Sequence, residues 1–178
     1  SEMESSITEP GVEDAIEQDK NDIIDTRAKF LNDIYQKRLI KNLPQSFEKA
    51  LALGGMIIKP YMSNGQLYLD FNQQGEFYPI TFDDDGNIID VAFFDQFTAG
   101  KCVYTKVERQ TFSQDKKMVV VENKAFKAQL RNTDDEVEQE LGQEIPLSSI
   151  DRWNGISEEP VTIENTEKPL YGYFKVPL

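Results

Sequence analysis

Apolar residues in the first third of the chain recur at helical spacing. Ile23, Ile24, Phe30, Leu31, Ile34, Tyr35 and Leu39 follow one another at steps of three, four and seven, the stripe of an amphipathic helix starting near Asp22. Asp22 or Asp25 is placed to accept hydrogen bonds from the free amide groups at that start, where the helix dipole also favours negative charge. Pro44 has no amide hydrogen and disfavours helix at the residue before it, so the pattern predicts a break there and a second helix over 44–53. Phe47, Ala50, Leu51 and Leu53 give this second helix an apolar side, and Gly54 with Gly55 ends it. The expectation is a helical hairpin.

Beyond Gly55 the period shortens to two. Residues 56–61 form a mixed apolar run, Ser63, Asn64 and Gly65 read as a turn, and the following QLYLDF places Leu67, Leu69 and Phe71 on one face. A second turn over 73–75 leads into 77–82, where Pro79 favours an edge strand or a bulge. After the turn 83–87, Ile89, Val91, Phe93 and Phe97 share a face of a longer strand. Two more strands follow over 102–112 and 117–126. Five or six strands joined by short turns predict an antiparallel meander, since parallel pairing needs long crossovers. The tail offers an apolar run over 145–150, the lone Trp153, and a closing strand near 169–176.

Two segments stand apart. Residues 1–20 carry seven acidic residues against one lysine with no sustained apolar period, and are expected to be a flexible, solvated leader, a short helix over 13–18 being the lesser expectation. Residues 132–144 hold six acidic residues and no basic one, as in a surface loop with a short helical turn. The remaining 21–178 are expected to form a single α+β domain, consistent in length with one compact unit. The chain closes on an aromatic strand, YGYFKV, and two further residues; so abrupt a close is expected of a fragment of a longer polypeptide.

Composition narrows the chemistry. The 19 basic and 32 acidic residues leave a net charge of −13, which argues against a phosphate-neutralising nucleic-acid binder and against a polybasic membrane module. There is no histidine, so histidine-dependent nucleophilic catalysis and histidine-ligated zinc or haem have no residues to use. The single cysteine, Cys102, forms no intramolecular disulfide and is expected to be a buried small hydrophobe. No apolar run approaches transmembrane length, and a soluble, intracellular protein is expected.

Several constellations invite a chemical reading. Asp83, Asp84, Asp85, Gly86 and Asn87 suggest a calcium loop, but the aspartates are contiguous rather than alternate, and Phe94 stands where the twelfth-position glutamate belongs. A hairpin turn with Gly86 in the left-handed region accounts for the same residues. Glu122 and Lys124 lie two apart on a strand, as in metal-dependent nucleases, with Asp95 the one plausible third member. An exposed cross-strand charge pair explains them more simply. Trp153 and the aromatics Phe93, Phe94, Phe97, Tyr171, Tyr173 and Phe174 read as core. No catalytic, metal or cofactor site is assigned, and no enzymatic activity is expected.

Five segments, in order, carry a resemblance: KALALGGMIIKPY, QLYLDF followed by EFYPITFD, VVVENKAFKAQL, LGQEIPLSSI, and ENTEKPLYGYFKVPL. Together they resemble the portal protein of tailed phages, in the branch called minor capsid protein in prophages of Gram-positive bacteria. The resemblance covers roughly residues 30–178. It implies an outer, wing-like region of a ring, typically of twelve subunits, at one capsid vertex, through which double-stranded DNA passes without sequence-specific binding. Terminase, capsid and head-completion proteins are the partners it implies. The location it implies is the virion, with the host cytoplasm during assembly. An acidic surface suits that role, because like charges do not condense on phosphates. The other readings are a non-catalytic α+β interaction domain of another phage or bacterial protein and, behind it, a metal-dependent nuclease.

Overall fold

The computed structural model describes residues 10–130 and 141–176, the first eight of these by their backbone alone. Its class is α+β: a long N-terminal helical run followed by antiparallel sheets.

Helix α1 (Pro10–Ile34) passes through a π turn (Tyr35–Leu39) directly into helix α2 (Ile40–Leu53). The expected hairpin is therefore not formed. Pro44 sits inside α2 and removes a single bond of the ladder. The π turn lies one turn upstream, where the Ile40 amide donates to the Tyr35 carbonyl and the Asn42 side chain donates to the Arg38 carbonyl at 2.9 Å, so the backbone loosens without reversing. The helix also begins at Pro10, inside the stretch expected to be a flexible leader, so neither Asp22 nor Asp25 caps it. Residues 1–9 of that stretch lie outside the described residues. Every described residue from 18 to 33 is exposed. No helix among the described residues is long and apolar enough to cross a membrane.

Helix α2 ends where the glycines stand. Gly54 takes φ 98° and its amide donates to the Ala50 carbonyl at 2.9 Å. Strand β1 (Gly55–Ser63) then pairs antiparallel with β2 (Gln66–Gln73) on one side and with β9 (Gly172–Lys175) on the other. The closing strand thus returns to the first, and the order β2-β1-β9 makes a small three-stranded sheet. A Cβ at Gly55 would lie 2.6 Å from the Phe174 carbonyl oxygen, so glycine is what lets β9 approach.

The large sheet comprises β3 (Phe77–Phe82), β4 (Ile88–Ala99), β5 (Cys102–Ser113), β6 (Met118–Gln129) and β7 (Gln143–Ile145), in that order, with β8 (Val161–Glu164) also pairing β6. The meander from β3 to β6 follows the sequence expectation, but β1 and β2 belong to a different sheet, so the strands form two sheets rather than one run. Strand β3 is the edge, and the register shifts immediately after Pro79, as a residue without an amide hydrogen requires. The apolar run 145–150 takes in the last residue of β7 and a 3₁₀ turn (Leu147–Ser149), and β8, whose VTIE alternates over only four residues, escaped the sequence reading. The acidic segment expected as a surface loop falls largely on 131–140, outside the described residues. Cys102 opens β5 and is half-buried rather than core.

One face of the large sheet carries Val91, Phe93, Asp95 and Phe97 on β4 and Tyr104, Lys106, Glu108 and Gln110 on β5, as the register dictates. At one end of this face Phe77, Ile88, Val91 and Phe93 pack against Ile57 of the small sheet, with Tyr171 and Tyr173 beside them. The Tyr171 hydroxyl donates to the Ile88 carbonyl at 2.8 Å, and burial, with the Asp90 charge nearby, pushes its ionisation well up. At the other end Ala125, Phe97 and Tyr104 pack against Leu147, Ile150, Trp153 and Ile156. The core thus has two lobes on one sheet face.

Gly55→Ala tests the closure of the small sheet. It should cost about 1–3 kcal/mol in chemical denaturation, through strain at φ 153° and the clash with β9, and should expose amides 172–175 to hydrogen exchange.

Candidate functional site

Between the two core lobes lies a cleft of about 1020 Å³, walled by the small sheet, by the large sheet and by the turn at Arg152. Its position follows from a change of residue type at inward positions. Ile57 fills the first lobe, and two residues on, with the same orientation along β1, the chain places Lys59.

Lys59 is only 7% exposed. Its Nζ donates to Glu108 Oε1 at 2.8 Å and stands 4.5 Å from the centre of the Phe93 ring. Gln110 donates to the same carboxylate oxygen at 2.8 Å, and Lys106 Nζ stands 3.7 Å from the other. Burial pushes the Glu108 carboxyl up, but attraction to Lys59 and the hydrogen bonds from Lys59 and Gln110, with Lys106 adding, together outweigh it and hold the group below its ordinary value. Taking two charges out of water costs several kcal/mol per ion, recovered only with good geometry and further hydrogen bonds, which this cluster supplies.

The far wall is fixed by Asp95. One of its oxygens accepts from Arg152 at 2.8 Å and the other from the Trp153 indole at 2.8 Å, tying the 3₁₀ turn (Asp151–Trp153) to β4. Trp153 is core, as its sequence context suggests, with its one polar atom satisfied. On the near wall Asp70 stands opposite Lys59 in the β1–β2 register, and Asn72 stands opposite Ile57. Asn123 stands opposite Glu108 in the β5–β6 register.

The residues singled out in the sequence are not assembled. Glu122 and Lys124 do share a face of β6, but it is the face opposite to the one that carries Asp95, and Asp95 lies two strands away. Glu122 stands opposite Arg109, and Lys124 pairs with Glu144 of β7 at 3.3 Å, both near the surface. In the turn 83–87, Asp83 accepts from the Asn87 amide at 2.7 Å, the Asn87 side chain at 3.0 Å and the Asp85 amide at 3.1 Å, and Gly86 takes φ 80°. Asp83 thereby closes the turn itself; the Asn87 side-chain bond, then the backbone bonds, hold its carboxyl below the ordinary range. No cluster of three or more potential metal-ligating side chains occurs among the described residues.

Lys59, Glu108 and Asn72 escape sequence reasoning. The available signal was a lysine and a glutamate at core parity within strands that read as apolar, but their pairing is 49 residues apart and appears only once the sheets stack. Compared with protein families, curated proteins and solved structures, the chain matches none.

Lys59→Met should cost about 3–5 kcal/mol, because it strands Glu108 in the cleft, whereas Lys59→Met with Glu108→Leu should recover most of that loss in urea denaturation. The pH dependence has a definite sign. Folding holds Glu108 below its unfolded value, so its contribution is present above that unfolded value and is lost as pH falls through the folded one. Glu108→Gln should therefore lose less stability than the parent on acidification below the ordinary carboxylate range.

Proposed function

We propose that this chain is a structural, non-catalytic part of the portal ring of a tailed phage, within its outer wing-like wall. The observation that carries the reading is the order and wording of the five segments between residues 30 and 178. The long helix supports it. Phe30 is 55% and Leu31 64% exposed, and with Ile23 and Ile24 they form an apolar stripe that leaves the sheets behind. Exposed apolar surface on this scale marks a surface made for a neighbour. In a ring of identical subunits the neighbour is another copy, meeting it head to tail.

The charge balance supports the same role. A net charge of −13 repels a phosphate backbone at short range and leaves DNA free to pass. In this reading terminase, capsid and head-completion proteins meet the assembled ring, and the chain's place is the capsid vertex of the virion.

Negative-stain electron microscopy of the whole gene product that carries this chain tests the proposal. Rings with rotational symmetry and a central hole wide enough for a DNA duplex are expected. Dispersed monomers at high protein concentration would overturn it in favour of a generic interaction domain. Phe30→Glu with Leu31→Glu should reduce the rings to smaller species by sedimentation while leaving the β-sheet circular dichroism unchanged.

A further inference from the structure

The helical arm differs from the rest of the chain in charge. Residues 20–41 hold six of the 19 basic residues and three of the 32 acidic ones, a net charge of +3, which leaves −16 on the remainder. The two signs also take different sides of α1. At about 100° per residue, exposed Lys20 and Arg27 fall within the stripe of Ile23, Ile24, Phe30 and Leu31, while Asp22, Asp25 and Asp33 fall on the far side. The apolar face of the arm is therefore also a positive face. Its complement is a row of apolar side chains beside free carboxylates.

The same chain carries such a row at the edge of the large sheet. On β3, Tyr78, Ile80 and Phe82 are 65%, 43% and 52% exposed. The strand leads directly into the turn with Asp84 and Asp85, both exposed and without a side-chain bond among the described residues. Among those residues β3 has β4 as its single neighbour, and Pro79 with the register shifts that follow it makes a poor template for another strand. A helix laid along such an edge needs no ladder, and it shields the edge from wrong pairing. The dimensions agree: Tyr78 to Phe82 spans about 13 Å and Ile23 to Leu31 about 12 Å. Residues 18–33 are all exposed in their own chain, so the arm meets this row in a second copy. We propose that α1 of one copy lies along β3 of the next, its stripe on Tyr78, Ile80 and Phe82, with Lys20 and Arg27 against Asp84 and Asp85. The assignment rests on the head-to-tail neighbour of the proposed ring, and names the surfaces that meet. Because the two surfaces differ, the contact repeats from copy to copy instead of closing a pair. It involves fewer residues than the roughly 20–30 a side of a standard interface, so one contact is weak and ring closure supplies the strength.

Two variants of the 178-residue chain separate the halves of the contact. Phe30→Glu with Leu31→Glu blocks the helix, and Tyr78→Glu with Phe82→Glu blocks the edge, all at exposed positions. By sedimentation velocity the parent chain is expected to gain mass with concentration and each variant alone to stay monomeric. Their equal mixture should form a one-to-one dimer and nothing larger. Should a blocked variant fail to fold, a charge exchange serves in its place: Arg27→Glu or Asp85→Lys alone should weaken association about fivefold, and both in one chain should recover most of it. A parent chain that stays monomeric at millimolar concentration would overturn the proposal. Self-association of the edge-blocked chain would overturn it in favour of a helix-to-helix contact. Cosedimentation of the monomeric chain with phosphatidylserine vesicles, lost in Arg27→Glu, would overturn it in favour of a membrane-facing arm. Rings of the whole gene product that survive both blocked variants would remove this contact and leave the portal reading. The one-to-one dimer, with no rings from the whole gene product, would keep the contact and remove that reading.

Discussion

The contact between Lys59 and Glu108 joins two sheets that share no backbone ladder. Each sheet is closed within itself by hydrogen bonds, so beyond the short β2–β3 turn, where Glu76 bonds to Gln73 and Phe94, their mutual placement rests on side chains. The apolar lobe around Ile57 and Phe93 supplies contact without direction, because burial of apolar surface is indifferent to modest sliding. An ion pair with a second hydrogen bond from Gln110 is not indifferent, since its strength depends on distance and angle. The cluster thus sets how far apart the sheets stand at mid-face, and the cleft is the space that this spacing leaves open.

Asp95 plays a corresponding part at the other end. Without it the segment around Trp153 would lie on Phe97 and Ala125 through apolar contact only. With it, Arg152 and the indole are both addressed to one carboxylate, and the wall of the cleft becomes a definite surface. The Leu147 amide, accepted by Glu158 at 2.8 Å, secures the same segment from its far side. Polar contacts therefore decide geometry here, and apolar contacts decide that there is a fold at all.

Much of the β architecture was legible from local rules. The alternation of QLYLDF, the turns at Gly65 and Gly86, and the edge character of Pro79 each rest on residues within a few positions of one another. What was not legible depends on distance along the chain. That β9 returns to β1 rather than extending the large sheet, and that Lys59 finds Glu108, are long-range pairings that no period can encode. The helix was misjudged for a different reason. Pro44 removes only one bond of the ladder, and α2, held on the small sheet by contacts such as Phe47 on Phe174, continues through it. Asp95 was read as a candidate for metal chemistry because acidic side chains look alike in sequence. Its real occupation, holding Arg152 and Trp153, is a matter of which face of the sheet it takes.

The π turn has a geometric consequence for the whole N-terminal arm. In a uniform helix each residue advances by about 100°, and the side of α2 that meets the small sheet through Leu43, Phe47 and Ala50 would point roughly 155° away from the centre of the stripe formed by residues 23–35. The wider turn absorbs one residue and takes back about 100° of that advance. It acts as a phase corrector, turning two nearly opposed apolar sides to within roughly 60° of each other. The stripe on α1 thereby continues the inner face of α2 past the tip of the β1–β2 hairpin, like an eave beyond a wall. Removing any one residue from 35–39 would leave both helices intact and turn the eave to face the wrong way.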